Sequence, residues 1–204
     1  MMSLSDENNI EQIKIILIGR SGVGKTNLIN TSIGLNFNSN EATTVSGSYV
    51  AKNYKINNQD FVAHLWDTAG QEAYKGITQL FFRDSKIIIL VYDICSSASL
   101  KDLEEWYELC EETINNDHIY GIAGNKKDLY LEEEVSEEEG RKFAESINAK
   151  FRLVSAKEDP KSFIDFIKEL IIDLKKITIR TRSPSIKINK NTHDNEKKKE
   201  SCCK

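Results

Sequence analysis

Lys25 and Thr26 close the octapeptide GRSGVGKT, residues 19–26, which directly follows the apolar run IKIILI. The spacing is G-x-x-x-x-G-K-[ST], with Gly19, Gly24, Lys25 and Thr26 at the fixed positions. Glycines let the backbone curl until the N–H groups of Ser21, Gly22, Val23 and Gly24 can point inward at phosphate oxygens. A helix that starts there adds its positive end. Lys25 would place a point charge on the outer phosphates, and the Thr26 hydroxyl can ligate Mg²⁺. A chance glycine-rich turn would not need a strand before it and a helix after it.

A second group of residues can choose the base. The stretch NKKD fills residues 125–128 after a short apolar run. A carboxylate at Asp128 can accept two hydrogen bonds, from the N1–H and the 2-amino group of guanine. Adenine lacks that donor pair and would leave the carboxylate unpaired. Asn125 can bridge the base edge and the phosphate loop, and the stem of Lys126 can lie over the ring. Ser155, Ala156 and Lys157 form a later loop whose backbone can meet guanine O6. Phe37 can close the pocket by an edge contact, although it reads equally well as core packing.

The third group acts on the phosphates. In WDTAGQE, residues 66–72, Asp67 ends an apolar run, where a carboxylate is expensive unless it meets a cation. Its natural partner is the Mg²⁺ held by Thr26, through a water. Gly70 can offer a backbone N–H to a γ-phosphate, and Gln71 can orient an attacking water. Thr44 lies in the polar stretch NSNEATTVSGSY, where its hydroxyl can complete the metal shell and its backbone can bond the γ-phosphate. Losing that phosphate would free both segments, which makes an order–disorder switch. No cis arginine finger is evident, and Arg20 reads as pointing to solvent.

Such groups need strands that end together. Residues 12–19 read as a buried strand, followed by a helix to about residue 33. Residues 49–56 and 61–67 read as a hairpin across the polar turn NNQD. The run at 86–94 is apolar nearly throughout, as in a strand covered on both faces. Leu100, Leu103, Tyr107, Cys110 and Ile114 recur at helical spacing. Residues 119–124 and 151–155 are further strands, and SEEEGRKFAESI is an exposed helix. Phe163, Ile167, Leu170, Ile171 and Leu174 stripe a final helix. This alternation predicts an α/β fold of the P-loop NTPase type. It is a three-layer sandwich with a mostly parallel six-stranded sheet, one antiparallel strand and helices on both faces. Ligands on such sheets sit at the carboxyl ends of the strands.

Composition limits the rest. The 204 residues are 39% hydrophobic, enough for a sizeable core, and no apolar run is long enough to cross a bilayer. The polar, acidic start does not resemble a secretory signal. Cys95 and Cys110 lie in apolar segments and read as small hydrophobes, not as a disulfide framework. Residues 177–204 hold eight Lys or Arg against three Asp or Glu. That charge of +5 leaves −9 on the rest of a chain whose total is −4. An acidic body argues against nucleic acid as the main partner, and a basic tail points to an acidic surface. The expected division is a flexible N-terminus at 1–11, a nucleotide-binding domain at 12–176 and a disordered basic tail at 177–204.

Taken together, these residues resemble a Ras-superfamily small GTPase, and within it the Rab family. The likeness spans residues 12–174 and includes all five nucleotide motifs in order. WDTAGQE, FFRDS at 81–85, LVYDI and a terminal cysteine pair are similar to Rab signatures. The resemblance implies GTP and GDP as ligands, Mg²⁺ as cofactor and slow GTP hydrolysis that regulates membrane traffic. It also implies an exchange factor, a GTPase-activating protein, effectors and a GDP-dissociation inhibitor or escort protein, around a monomeric switch. Tyr49, Trp66 and Phe81 fall where Rabs carry an effector-reading patch, and each reads equally as a core aromatic. Cys202 and Cys203 fall where Rabs are doubly prenylated, which implies cycling between cytosol and the cytosolic face of membranes. A strained vicinal disulfide or idle thiols are the bland alternatives there. Val45, Ser46, Ser48 and Ala73 depart from the family pattern around the two switches. Other readings of the chain are a Ras-type signalling GTPase, a nucleotide-locked scaffold with little hydrolysis, and a P-loop kinase, against which NKKD and SAK argue.

Overall fold

The computed structural model of the chain describes residues 10–42, 44, 47–68, 82–114 and 117–182. Six strands form one sheet: β1 (Glu11–Ile18), β2 (Ser48–Ile56), β3 (Gln59–Asp67), β4 (Ile87–Asp93), β5 (Ile119–Asn125) and β6 (Lys150–Leu153). Their spatial order is β2-β3-β1-β4-β5-β6. Only the β2–β3 pair is antiparallel; β1 pairs in parallel with β3 and β4, and β4–β5 and β5–β6 are parallel too. Among the described residues the helices are α1 (Lys25–Ser32), α2 (Ser97–Thr113), α3 (Glu137–Ser146) and α4 (Pro160–Arg182), with a 3₁₀ segment at Lys127–Glu132. The expected mostly parallel sheet with one antiparallel strand is the observed one.

Alternation along buried strands explains the two cores. Ile13, Ile15 and Leu17 of β1, with Ile87, Ile89 and Val91 of β4, pack with Leu28 of α1 and the α4 stripe. Ile16 and Ile18, with Ile88, Leu90 and Tyr92, pack with Leu103, Trp106 and Cys110 of α2 and Ala144 of α3. Successive residues face opposite layers, so a strand between two helix layers must be apolar at every position. The stripe Phe163, Ile167, Leu170, Ile171 and Leu174 is wholly buried. At roughly 25 cal/mol per Å² of apolar surface, burying these helix faces is the main force holding α4 to the sheet. Cys95 and Cys110 are free thiols. Burial pushes the Cys110 thiol up to about 12.

Two local readings need correction. The hairpin turn is Asn57-Asn58 alone, and Gln59 and Asp60 already belong to β3. Both asparagines have positive φ, 50° and 63°, the conformation of a two-residue type I′ turn, which asparagine tolerates. The last helix also runs to Arg182, past the end of its apolar stripe. Lys175 pairs with Glu11, Lys176 with Asp173 at 2.7 Å, and the Thr178 hydroxyl donates to the Leu174 carbonyl. These polar contacts carry the helix on although Ile177 and Ile179 are exposed.

Candidate functional site

Residues just beyond the carboxyl ends of β1, β3, β5 and β6 line one cavity of about 430 Å³. Ser21, Gly22, Gly24, Lys25 and Thr26 reach it from the glycine-rich loop and the start of α1. Asn125, Lys126, Asp128, Ala156 and Lys157 line it from the loops after β5 and β6, and Phe37 and Thr44 from the segment after α1. Gly19, Val23, Asp67 and Ser155 do not line it. Each is buried and fixes something that does.

At Gly19 the backbone passes so close to β4 that a Cβ would lie 2.1 Å from the Val91 carbonyl oxygen. Gly24 has φ +95°, and a Cβ there would lie 2.4 Å from Asn125 Nδ2. Any larger residue at either place would push the loop out of its curl. Lys25, nearly fully buried, donates from Nζ to the Gly19 and Arg20 carbonyls at 2.7 and 3.1 Å. Arg20 does not simply point to solvent: its guanidinium pairs with Asp102 of α2 at 3.3 Å. Among the described residues, no arginine lines the cavity.

The three residues expected to hold a metal converge. Asp67 Oδ2 accepts from the Thr26 hydroxyl at 2.7 Å and from the Thr44 hydroxyl at 3.2 Å, and the two hydroxyls lie 2.8 Å apart. Asp67 Oδ1 is buried without a hydrogen-bond partner among the described residues. Burial raises the Asp67 pKa, opposed by the Thr26 hydrogen bond and the Lys25 charge. A buried carboxylate oxygen with no donor is what a cation would satisfy. One carboxylate with two hydroxyls is also the sparse oxygen set that Mg²⁺ takes when substrate phosphates complete its shell. The residues fit the ion.

The end of the cavity lined by Asn125, Asp128 and Ala156 is tied more tightly. Asn125 Nδ2 donates to the Val23 carbonyl at 2.8 Å, while its Oδ1 accepts from the Ala156 N–H at 3.3 Å. One buried amide thus joins the glycine-rich loop to the loop after β6. Asp128 Oδ1 accepts from the Ser155 hydroxyl at 2.5 Å, and Ser155 Oγ accepts from the Glu158 N–H at 2.9 Å. Among the described residues, nothing bonds Asp128 Oδ2. Lys126 takes a left-handed backbone, φ 67°, and its Nζ donates to Asp93 Oδ2 at 2.6 Å.

Three supporting residues escaped the sequence reading. Asp93 ends the apolar strand β4 opposite Asn125. The cost rule that picks out Asp67 applies to it equally and would have pointed to a cation, here Lys126. Thr68 is buried and donates from its hydroxyl to the Leu17 carbonyl at 2.7 Å, stapling the end of β3 to β1. Asn27 bonds the backbone of Asn38, and no sequence signal marks it.

Of the aromatic trio, Tyr49 and Trp66 are stacked on neighbouring strands, with ring centroids 5.3 Å apart. Tyr49 is exposed at 53%, so it is not a core aromatic, and Trp66 is half-buried with Lys14 Nζ 4.8 Å over its ring. Gly70, Gln71, Phe81, Cys202 and Cys203 lie outside the described residues.

A family model described as Ras family matches residues 14–176. The chain belongs to the Ras family. Human Ras-related protein Rab-30 is 34% identical over 181 residues, 87% of this chain and 88% of the relative. Bovine Ras-related protein Rab-21 is 36% identical over 168 residues, 82% of this chain and 73% of the relative. Within the Ras family the chain is a divergent, Rab-like small GTPase, and the sheet order and motif placement described above are those of its Ras-family domain. Among the described residues, no helix is long and apolar enough to cross a membrane.

Proposed function

We propose that this Rab-like chain binds GTP and GDP in the cavity, hydrolyses GTP slowly with Mg²⁺, and uses the difference to recruit effectors in membrane traffic. The arrangement that carries this reading is Asp128 held by Ser155 while Asn125 locks the phosphate loop to Ala156. In the proposal, Asp128 accepts the guanine N1–H and 2-amino group, the Ala156 backbone meets O6, and the stem of Lys126 lies over the ring. Lys157 and Phe37 close the edges. The loop amides of residues 21–24 and the Lys25 ammonium face the β- and γ-phosphates and stabilise charge as it moves to the leaving oxygen. Thr26, Thr44 and, through a water, Asp67 would hold Mg²⁺, which when bound would draw charge from the phosphate oxygens. Gly70 donates to the γ-phosphate, and Gln71 orients the attacking water.

With no arginine among the described residues of the cavity wall, single-turnover hydrolysis should run below about one per second, leaving a factor of about 10³–10⁵ to an activating protein. Exchange factor, effectors and a GDP-dissociation inhibitor complete the cycle of a monomeric switch. Tyr49, Trp66 and Phe81 offer the effector surface. Prenyl groups on Cys202 and Cys203, with Lys197, Lys198 and Lys199 beside them, return it to the cytosolic face of a membrane, since stable anchoring takes two signals.

Calorimetry with GDP and GTP tests the base pocket. Asp128→Ala removes an acceptor of two charge-assisted bonds, each worth roughly 1.5–3 kcal/mol, so binding should weaken by about 10²–10⁴-fold for both nucleotides. Parent-like affinity in Asp128→Ala would overturn the reading.

A further inference from the structure

Asn27 follows Lys25 and Thr26 at the start of α1, and its side chain turns to different work. Its Nδ2 donates to the Asn38 carbonyl at 3.0 Å, and its Oδ1 accepts from the Asn38 N–H, also at 3.0 Å. Both halves of one amide therefore read both backbone groups of a single residue eleven positions on. Asn27 is buried, 8% exposed, whereas Asn38 is exposed, so the two bonds run from the protein interior to a surface segment. Asn38 in turn organises its neighbours: its Oδ1 accepts from the Asn40 N–H and its Nδ2 donates to Glu41, at 3.0 and 3.1 Å. Phe37, Asn38, Ser39, Glu41 and Ala42 all line the cavity. One buried side chain thus joins this exposed polar arm, part of the cavity wall, to α1.

We propose that Asn27 is a positioning residue that holds the arm at residues 37–42 against the nucleotide whether two phosphates are bound or three. This rests on the guanine-nucleotide reading above. The clamp uses only protein groups, so no phosphate enters it. Two residues further along, Thr44 is held by Thr26 and Asp67, the residues that would bind the metal. The arm is thus tied at two points of different kind. The Asn27 end stays fastened through the cycle, and the Thr44 end answers to the third phosphate. A loop pinned at one end needs to order fewer residues when its other end closes, which lowers the entropy cost of each switch.

The test uses the full chain loaded with GDP or with a non-hydrolysable GTP analogue. Asn27→Ala should release both nucleotides faster by the same factor, about tenfold, the order expected of two neutral hydrogen bonds. Hydrogen exchange should show the Asn38 amide unprotected while the α1 amides exchange as in the parent. Chelating Mg²⁺ should speed release by the same factor in variant and parent, because Thr26 next door is undisturbed. A general loosening of α1 would instead blunt the chelator effect and expose α1 amides, and either result overturns the proposal. Asn27→Asp keeps size and acceptor but loses the donor, and it should also speed release of both nucleotides. Parent-like release from both variants, or acceleration of the triphosphate alone, overturns the clamp. A parent chain that binds no guanine nucleotide would instead overturn the function on which it rests.

Discussion

The two ends of the cavity are built on opposite plans. At the end proposed for the base, the side chains that position Asp128 have protein partners, Asn125 with Val23 and Ala156, Ser155 with Asp128 and Glu158, and Lys126 with Asp93, and Asp128 Oδ2 alone is left for a ligand among the described residues. Apart from Val23 in the glycine-rich loop, they sit at or shortly after the ends of β4, β5 and β6, of which β4 and β5 are buried between two helix layers and β6 is the half-buried edge strand. At the phosphate end the polar groups crowd on one another. Two hydroxyls share a single carboxylate oxygen, and the other oxygen, Asp67 Oδ1, has no partner among the described residues. A satisfied network is rigid and selects. An incompletely satisfied one is waiting for a ligand, and whatever completes it can move the segments that contribute. On the proposed reading, specificity is stored in a carboxylate that the fold holds in place, whereas response is stored in groups shared between a strand end and the segment that carries Thr44.

The sharpest way to break that contrast is to unsatisfy the base end. Asn125→Ala would strand two buried groups, the Val23 carbonyl and the Ala156 N–H, at roughly 1–3 kcal/mol each. Binding of GDP and GTP should fall together by about 10²–10⁴-fold, measured by calorimetry, with a lowered Tm. A loss confined to the triphosphate would mean that Asn125 serves the phosphate end. The phosphate end is probed by chelation. Removing Mg²⁺ from the parent should speed nucleotide release on the order of a hundredfold, since a bound cation supplies several kcal/mol of charge stabilisation. Asp67→Ala should release quickly at the outset and gain little from the chelator. If it keeps the full chelator response, the Thr26–Thr44–Asp67 cluster is not the metal site.

The sequence made the same distinction visible, but only in part. Strand periodicity and the ordered motifs were enough to place Gly24, Lys25, Thr26, Asn125 and Asp128 on one side of a sheet, because each follows directly from a strand end whose position the apolar runs reveal. Side-chain-to-backbone ties were not legible. Asn27 is one polar residue in a short helix, and its partner is the backbone of Asn38, which has no letter of its own in the sequence. Thr68 likewise answers to the Leu17 carbonyl across 51 positions. The Lys127–Glu132 segment was missed because its 3₁₀ turn follows a left-handed Lys126, a backbone conformation that lysine rarely takes and that no local pattern announces; the Lys126 side chain pairs with Asp93 of another strand. Tertiary contacts, not local propensity, decide such pieces.

The Asp93–Lys126 pair offers a finer test. The two side chains meet at 2.6 Å with 12% and 34% of their surface exposed. If Asp93 acts through Lys126, Asp93→Asn should speed nucleotide release about tenfold in the parent and have little effect in a Lys126→Ala background. Residues in direct contact couple by about 0.5–3 kcal/mol, so the cycle should be visibly non-additive. Additive effects would assign Asp93 to its other contact, the Cys95 N–H at 3.0 Å, and to the turn it caps.

Phe37 should give the smallest effect and divide the two ends most finely. It belongs by sequence to the arm that leads to Thr44, yet we place it at the guanine edge, and the residue is 38% exposed on the cavity wall. An aromatic contact of this kind contributes about 0.5–1.5 kcal/mol beyond its area. Phe37→Ala should therefore weaken GDP and GTP equally, by about 2- to 10-fold, and leave the Mg²⁺ dependence of release unchanged. A Phe37→Ala variant that binds GDP normally but loses GTP would move this ring to the responsive end. The boundary between the pinned and the switching part of the arm would then lie before residue 37, on the α1 side of the Asn27 clamp.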